Sequence, residues 1–143
     1  LGRFDVVVSN PPYVPSADMD HLQVEVRDFE SHVALNGGID GLDVVRELLA
    51  AAPKLLRSGE RDPELWLEVG GGHPAVIEQW LGADSARGEA GSGVDWVETE
   101  AASEAAEDRD LHCIEIMSDL YGVARFIGIS LRHHERESLL SPT

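Results

Sequence analysis

The stretch FDVVVSNPPY, residues 4–13, limits the possible folds more than any other part of the chain. Three valines in succession, with no polar alternation, read as a parallel strand over Phe4–Val8 that is covered by helices on both faces. Pro11 and Pro12 have no N–H and a fixed φ, so the strand cannot continue past Asn10. Pro12 also biases Pro11 towards an extended conformation. In open α/β sheets, ligands collect outside the carboxyl ends of the strands. A stiff loop at this strand end is therefore the first place to expect a site.

The rest of the chain supplies the alternation such a sheet needs. Leu42, Val45, Leu48, Leu49, Ala52 and Leu56 recur near helical spacing, with Asp40 or Asp43 as cap and Ser58-Gly59 as the close. Glu64–Gly70 (ELWLEVG) reads as a second buried strand. The segment after it reads as a helix with Pro74 in the first turn, where a missing N–H costs nothing. Strand, helix, strand, helix specifies an α/β fold. From about residue 82 to 110 the chain turns to Gly, Ala, Ser and acidic residues, which bury too little apolar area to order strongly. This reads as a flexible acidic surface insertion, with VDWVET (94–99) as a candidate short strand. LHCIEIMSDL and VARFIGISLRH then alternate on either side of Tyr121-Gly122, the pattern of a terminal hairpin. There are no internal repeats.

Charge and composition narrow the function classes. With 27 acidic against 11 basic residues the net charge is −16, which disfavours a naked nucleic acid partner, since such binding draws on Lys and Arg. The single Cys113 offers no disulfide framework; it fits a reducing compartment and reads as a small core side chain. No apolar run approaches the ~20 residues of a membrane span, and no signal peptide is visible. The six histidines lack metal-ligand spacing, His133-His134 included. Trp66 and Trp80 read as core, and Asp119 and Arg125 as an ion pair across the last hairpin. Glu68–Pro74 (EVGGGHP) resembles a nucleotide-cradling turn, but Pro74 already starts a helix there and an ordinary turn is the better reading. The glycines of NGGIDGLD (36–43) suit tight turns that brace the neighbouring loop. Glu25, Arg27, Asp28 and Glu30 beside it suit salt bridges or partner recognition.

The Asn-Pro-Pro-Tyr corner has a definite chemistry. Asn10 carries a side-chain carbonyl acceptor and an NH2 donor, proline carbonyls there have no ladder to join, and Tyr13 adds a flat face with a polar tip. Two acceptors and an aromatic plane suit a planar NH2 group, such as a carboxamide or an exocyclic amine. A delocalised nitrogen is a poor nucleophile, so pinning its protons and aiming its lone pair assists by orientation and by stabilising developing positive charge. The alternative is a proline-stiffened strand end of no function.

The stretch FDVVVSNPPYVP resembles the fourth strand of class I S-adenosylmethionine-dependent methyltransferases that alkylate planar nitrogens. LQVEVRDFESHVALNGGIDGLDVVRELLAAAPKLL (22–56), LWLEVGGGHPAVIEQWL and MSDLYGVARFIGIS together resemble the HemK/PrmC protein-(glutamine N5) methyltransferases, which modify the Gly-Gly-Gln glutamine of peptide chain release factors. The resemblance implies the C-terminal part of a Rossmann-like α/β sheet, from the fourth strand on, ending in an antiparallel hairpin. Residues 1–143 would then form a partial methyltransferase domain. It further implies S-adenosylmethionine as cofactor, a release factor as protein substrate, and cytoplasm or mitochondrion as compartment. By the same likeness Asn10 and the Pro11 carbonyl bind the glutamine amide, Pro12 keeps the loop rigid, Tyr13 packs on the substrate, and Asn10 also lies against the methionine end of the cofactor.

Two family features are missing from these 143 residues: the acidic residue with Gly-x-Gly-x-Gly, and the acidic ribose ligand. The expectation is that the chain alone binds cofactor weakly or not at all, and that its first strand leaves one face and one edge bare. Adenine-N6 methylation of nucleic acid and a catalytically inactive, truncated binding module are the competing readings.

Overall fold

A computed structural model of the chain describes residues 4–57, 63–85 and 109–133. Strand β1 (Val6–Ser9) leads through a short 3-10 turn, Ser16–His21, into two single-turn helices, α1 (Val24–Arg27) and α2 (His32–Leu35). Helix α3 (Asp43–Leu55), strand β2 (Glu64–Glu68) and helix α4 (His73–Ser85) follow, and β3 (Arg109–Ser118) and β4 (Ala124–His133) close the described chain. The four strands form one sheet in the order β1-β2-β4-β3. β1 runs parallel to β2, with Val7 opposite Leu65, while β4 runs antiparallel to both neighbours, with Ile127 opposite Leu67 and Ile129 opposite Cys113. This mixed α/β sheet is consistent with the expected C-terminal part of a class I methyltransferase fold.

Period-two alternation puts Leu65, Leu67 and Val69 of the β2 segment and Ile127, Ile129 and Leu131 of β4 on one buried face. Val45, Leu49 and Ala52 of α3 and Ile77 and Leu81 of α4 close over that face in a single apolar cluster, with Trp80 and Cys113 packed at its margin. Trp66 is not part of that cluster. Strand alternation turns it to the opposite face, where a Cβ on Gly128 would lie 2.7–2.9 Å from its ring, and its Nε1 donates to Glu64 Oε2 at 2.6 Å. Gly128 is thus the seat of the indole.

Three sequence expectations shift at their edges. Helix α3 ends at Leu55, short of Ser58-Gly59, which lies outside the described residues. It ends there because Phe4 takes over: its N–H donates to the Leu55 carbonyl and its own carbonyl accepts from Arg57, both at 2.9 Å. Asp40 is no cap either. It accepts the Leu42 N–H at 3.1 Å just ahead of a helix that begins at Asp43. Most of the stretch expected as an acidic insertion, with VDWVET, lies outside the described residues; at its two edges α4 reaches Ser85 and β3 starts at Arg109.

The hairpin is built as its sequence requires. Gly122 has φ +79°, a left-handed value that glycine adopts without strain. Asp119 Oδ1 accepts the N–H groups of Tyr121 and Val123 at 2.9 and 3.0 Å, and Asp119 Oδ2 meets Arg125 Nε at 3.1 Å, the expected ion pair. The Val123 N–H, the Tyr121 N–H and Arg125 together hold the Asp119 carboxyl below the usual carboxylate range.

β1 departs from the expectation of cover on both faces. Val7 packs against the core, but Val6 and Val8 are 52% and 76% exposed, and β1 pairs with β2 alone. Among the described residues nothing lies over its outer face. No helix among them is long and apolar enough to cross a membrane.

Candidate functional site

The loop Asn10–Tyr13 leaves the carboxyl end of β1 beside the β2–α4 turn. Asn10 is exposed and its side chain makes no hydrogen bond among the described residues, while Pro11 is buried and Pro12 and Tyr13 are half-buried. The corner therefore presents one unspent amide on a base that is packed down.

That packing comes from a second loop, Asn36–Gly41, which braces the first. The Val14 N–H donates to the Leu35 carbonyl and the Gly37 N–H to the Val14 carbonyl, both at 2.9 Å; Ser16 N–H meets the Gly38 carbonyl at 2.8 Å. Asn36 Oδ1 accepts from Ser16 Oγ and from the Gly38 N–H, each at 2.9 Å. Two glycines are then obligatory. A Cβ on Gly37 would lie 2.6 Å from the Pro12 carbonyl oxygen, and one on Gly41, where φ is +79°, would lie 2.3 Å from the Tyr13 carbonyl oxygen. Real Cβ contacts are not that short, so only glycine lets this turn seat the loop. The bracing role expected of NGGIDGLD is what these contacts perform.

The brace is anchored to both helices through Asp40. Arg46 Nη1 donates to Asp40 Oδ1 at 3.1 Å and to Asp43 Oδ1 at 3.2 Å, and the guanidinium lies 4.9 Å from the centroid of the Trp80 ring. The Arg46 bond is the main reason the Asp40 carboxyl sits below the usual carboxylate range, and Asp40 in turn raises Arg46. A fork of hydrogen bonds plus stacking on an indole is a geometry lysine does not reproduce.

His73, the first residue of α4, completes the packing. Its ring lies against Gly41 and Gly70, and the Tyr13 ring edge lies on the same Gly70. Its Nδ1 is buried without a partner among the described residues, and its polar contact is with the Asp40 backbone. Burial lowers its pKa from the ordinary histidine value, with Asp40 opposing that shift.

The sequence reading singled out Asn10–Tyr13, and those four are contiguous by construction. It did not single out His73, Asp40 or Arg46 for the site, and the fold brings them to the loop from 27 or more positions downstream. The one available signal was the pair of glycine-rich turns, since glycine clusters mark close backbone approach. Of the acidic loop expected to grip a partner, Arg27 is spent on Asp28 (Nε to Oδ1, 2.8 Å), which raises the arginine and lowers the aspartate. Glu25, Glu30 and Phe29 are exposed.

Comparison with known proteins finds release factor glutamine methyltransferases over part of the chain. The chain is 42% identical over 80 residues to the human MTRF1L release factor glutamine methyltransferase, a match of 56% of this chain and 23% of that protein. It is 56% identical over 57 residues to the release factor glutamine methyltransferase of Geobacter sulfurreducens, which spans 40% of this chain and 20% of that protein. The corresponding protein of Gloeobacter violaceus is 48% identical over 85 residues, or 59% of this chain and 29% of its own length. The chain is thus similar, over part of its length, to release factor glutamine methyltransferases. It matches between a fifth and three-tenths of the length of these relatives. No family model matches the chain, and no solved structure matches it.

Methyltransferases of the kind these relatives are named for generally use S-adenosylmethionine. Asn10, exposed and with its amide unspent, is the polar side chain this corner leaves open to such a ligand. At the Gly70–Gly72 turn the His73 N–H is spent on the Gly70 carbonyl at 3.1 Å, Pro74 has none, and a Cβ on Gly71 would lie 3.0 Å from Val123.

Proposed function

We propose that this chain forms the acceptor side of a methyl transfer to a planar amide nitrogen, the glutamine of the Gly-Gly-Gln motif in a peptide chain release factor. The observation that carries the reading is the exposed, unspent Asn10 side chain on a corner whose other members are packed rigid. Asn10 Oδ1 accepts one N–H of the glutamine amide and the Pro11 carbonyl accepts the other. Pro12 is left out of this, because its carbonyl is packed on Gly37; its part is to hold the corner stiff. Tyr13 packs against the amide plane. With both protons held, the nitrogen lone pair has one direction left, towards the electrophile.

Bound S-adenosylmethionine supplies an electrophilic methyl on sulfur. A nitrogen taking that methyl, with the S–C bond broken, would become positive, and the role of the two acceptor oxygens would be to stabilise that charge. The extra proton then leaves to solvent, so no side chain of this site has to titrate. Methylation of adenine uses the same corner, but a net charge of −16 repels a polyphosphate backbone. The names of the relatives favour the protein substrate; cytoplasm and mitochondrion both suit it.

The test offers labelled S-adenosylmethionine to the intact protein with a release factor or with duplex DNA. Label on the release factor glutamine is expected; label on DNA selects the adenine reading, and no transfer to either leaves a binding module. Asn10→Ala is expected to lower turnover by roughly 10²–10³-fold with an unchanged Tm, because the exposed side chain supports nothing else. Undiminished turnover removes the assignment. Calorimetry on the 143-residue chain alone is expected to show weak cofactor binding or none.

A further inference from the structure

Among the described residues, the one buried polar atom bordering the Asn10–Tyr13 corner that makes no hydrogen bond is His73 Nδ1. Buried unpaired nitrogens are uncommon and each has a reason. Here the reason lies in what the ring touches. Its Cε1 would be 2.9 Å from a Cβ on Gly41, and its Cε1 and Nδ1 3.1 Å from one on Gly70. Those two glycines are also where Tyr13 rests: its carbonyl oxygen would be 2.3 Å from a Cβ on Gly41 and its ring 3.5 Å from one on Gly70. Histidine and tyrosine thus share both seats.

We propose that His73 is a positioning residue for the Asn10–Tyr13 loop: its ring is the wedge that holds the Asn36–Gly41 brace, Gly70 and Tyr13 together. The ring reaches the brace at Gly41 and through the Asp40 backbone. β1 cannot do this holding, being paired on one edge only. The wedge therefore has to come from α4.

Charge on the ring opposes the role. His73 is the first residue of a 13-residue helix, where the macrodipole disfavours a cation, and the ring is desolvated. The opposing group is Asp40 on the brace, whose carboxylate is held by Arg46 of α3. The loop contributes Tyr13 and the β2–α4 turn three glycines, with no carboxylate or amine among them. On α4 itself the nearest ionisable group is Glu78, more than one turn away. The folded protein thus takes up a proton at lower pH than the unfolded chain does. The neutral ring's contribution is complete above an unfolded pKa of about 6.5 and is lost as pH falls from there through the lowered folded value.

The activity readout rests on the methyl-transfer reading; a spectroscopic one does not. In the intact protein, turnover of the release factor and the NMR signals of the Tyr13 ring are followed from about pH 8 down to about pH 5, a range that brackets histidine titration, in wild type, His73→Gln and His73→Ala. Gln keeps an N–H near the position of Nε2 and does not titrate. Wild type is expected to lose kcat only below the ordinary histidine range, as the desolvated ring takes up its proton, with the Tyr13 signals moving on the same curve. His73→Gln is expected to stay within about threefold of wild type at the alkaline end and to flatten both curves, and His73→Ala to lose about tenfold in kcat at every pH, the cost of a displaced loop. Unflattened curves in His73→Gln, or Tyr13 signals indifferent to pH and to both substitutions, overturn the proposal. If wild type transfers no methyl group while the Tyr13 signals behave as stated, the functional reading fails and the positioning role stands.

Discussion

β1 and β4 are both apolar strands of one sheet, and they are held in opposite ways. Ile127, Ile129 and Leu131 of β4 are fully buried between two paired neighbours, whereas Val6 and Val8 of β1 are more than half exposed on a strand with one neighbour. Apolar area stabilises only when it leaves water, at roughly 25 cal/mol per Å². β4 therefore anchors the sheet, and β1, which delivers the candidate site, adds little. The loop at its end is kept rigid from outside, by Gly37 and Gly41, by Asp40 with Arg46, and by His73.

This contrast can be broken at its strong end first. Ile129→Ala removes a side chain with no exposure, and is expected to cost about 2–5 kcal/mol in a denaturant melt. A loss below about 1 kcal/mol, well under that range, would mean that β4 is not the anchor. Gly41→Ala comes next. It adds a Cβ at a positive φ and against the Tyr13 carbonyl, costing roughly 1–3 kcal/mol, and should lower turnover more than its stability loss explains. Equal, small effects on both would detach the brace from the site.

Asp40→Asn sharpens the picture further. The Arg46 pair is part-exposed, so the stability change is expected at about 1 kcal/mol or less. The His73 titration should nevertheless move to lower pH, because the group that favours its protonated form has lost its charge. A histidine NMR titration that stays in place excludes that coupling. Val8→Thr is the smallest: on an exposed face it should change stability by no more than about 0.5 kcal/mol. A larger loss would show that something covers β1 in solution.

The alternation of Leu65, Leu67 and Val69, the helical spacing of Val45, Leu49 and Ala52, and the Gly122 turn are all legible locally, because each is a periodicity or a backbone requirement carried by adjacent residues. The place of β4 between β2 and β3 is not, since it depends on which strand edge the hairpin meets. Nor is the face that Trp66 covers, which follows from Gly128, 62 residues away. Among the candidate site residues, the corner Asn10–Tyr13 was readable because two prolines and an amide declare themselves in order.

What the chain's order of residues determined alone is where strands must stop and which side chains the stop presents: Pro11 and Pro12 end β1 through their missing N–H groups whatever surrounds them. Tertiary structure decided what steadies that stop. His73, Asp40 and Gly41 meet Tyr13 only once α3 and α4 have closed over the buried face, and contact between residues that far apart is set by packing, which no local pattern encodes.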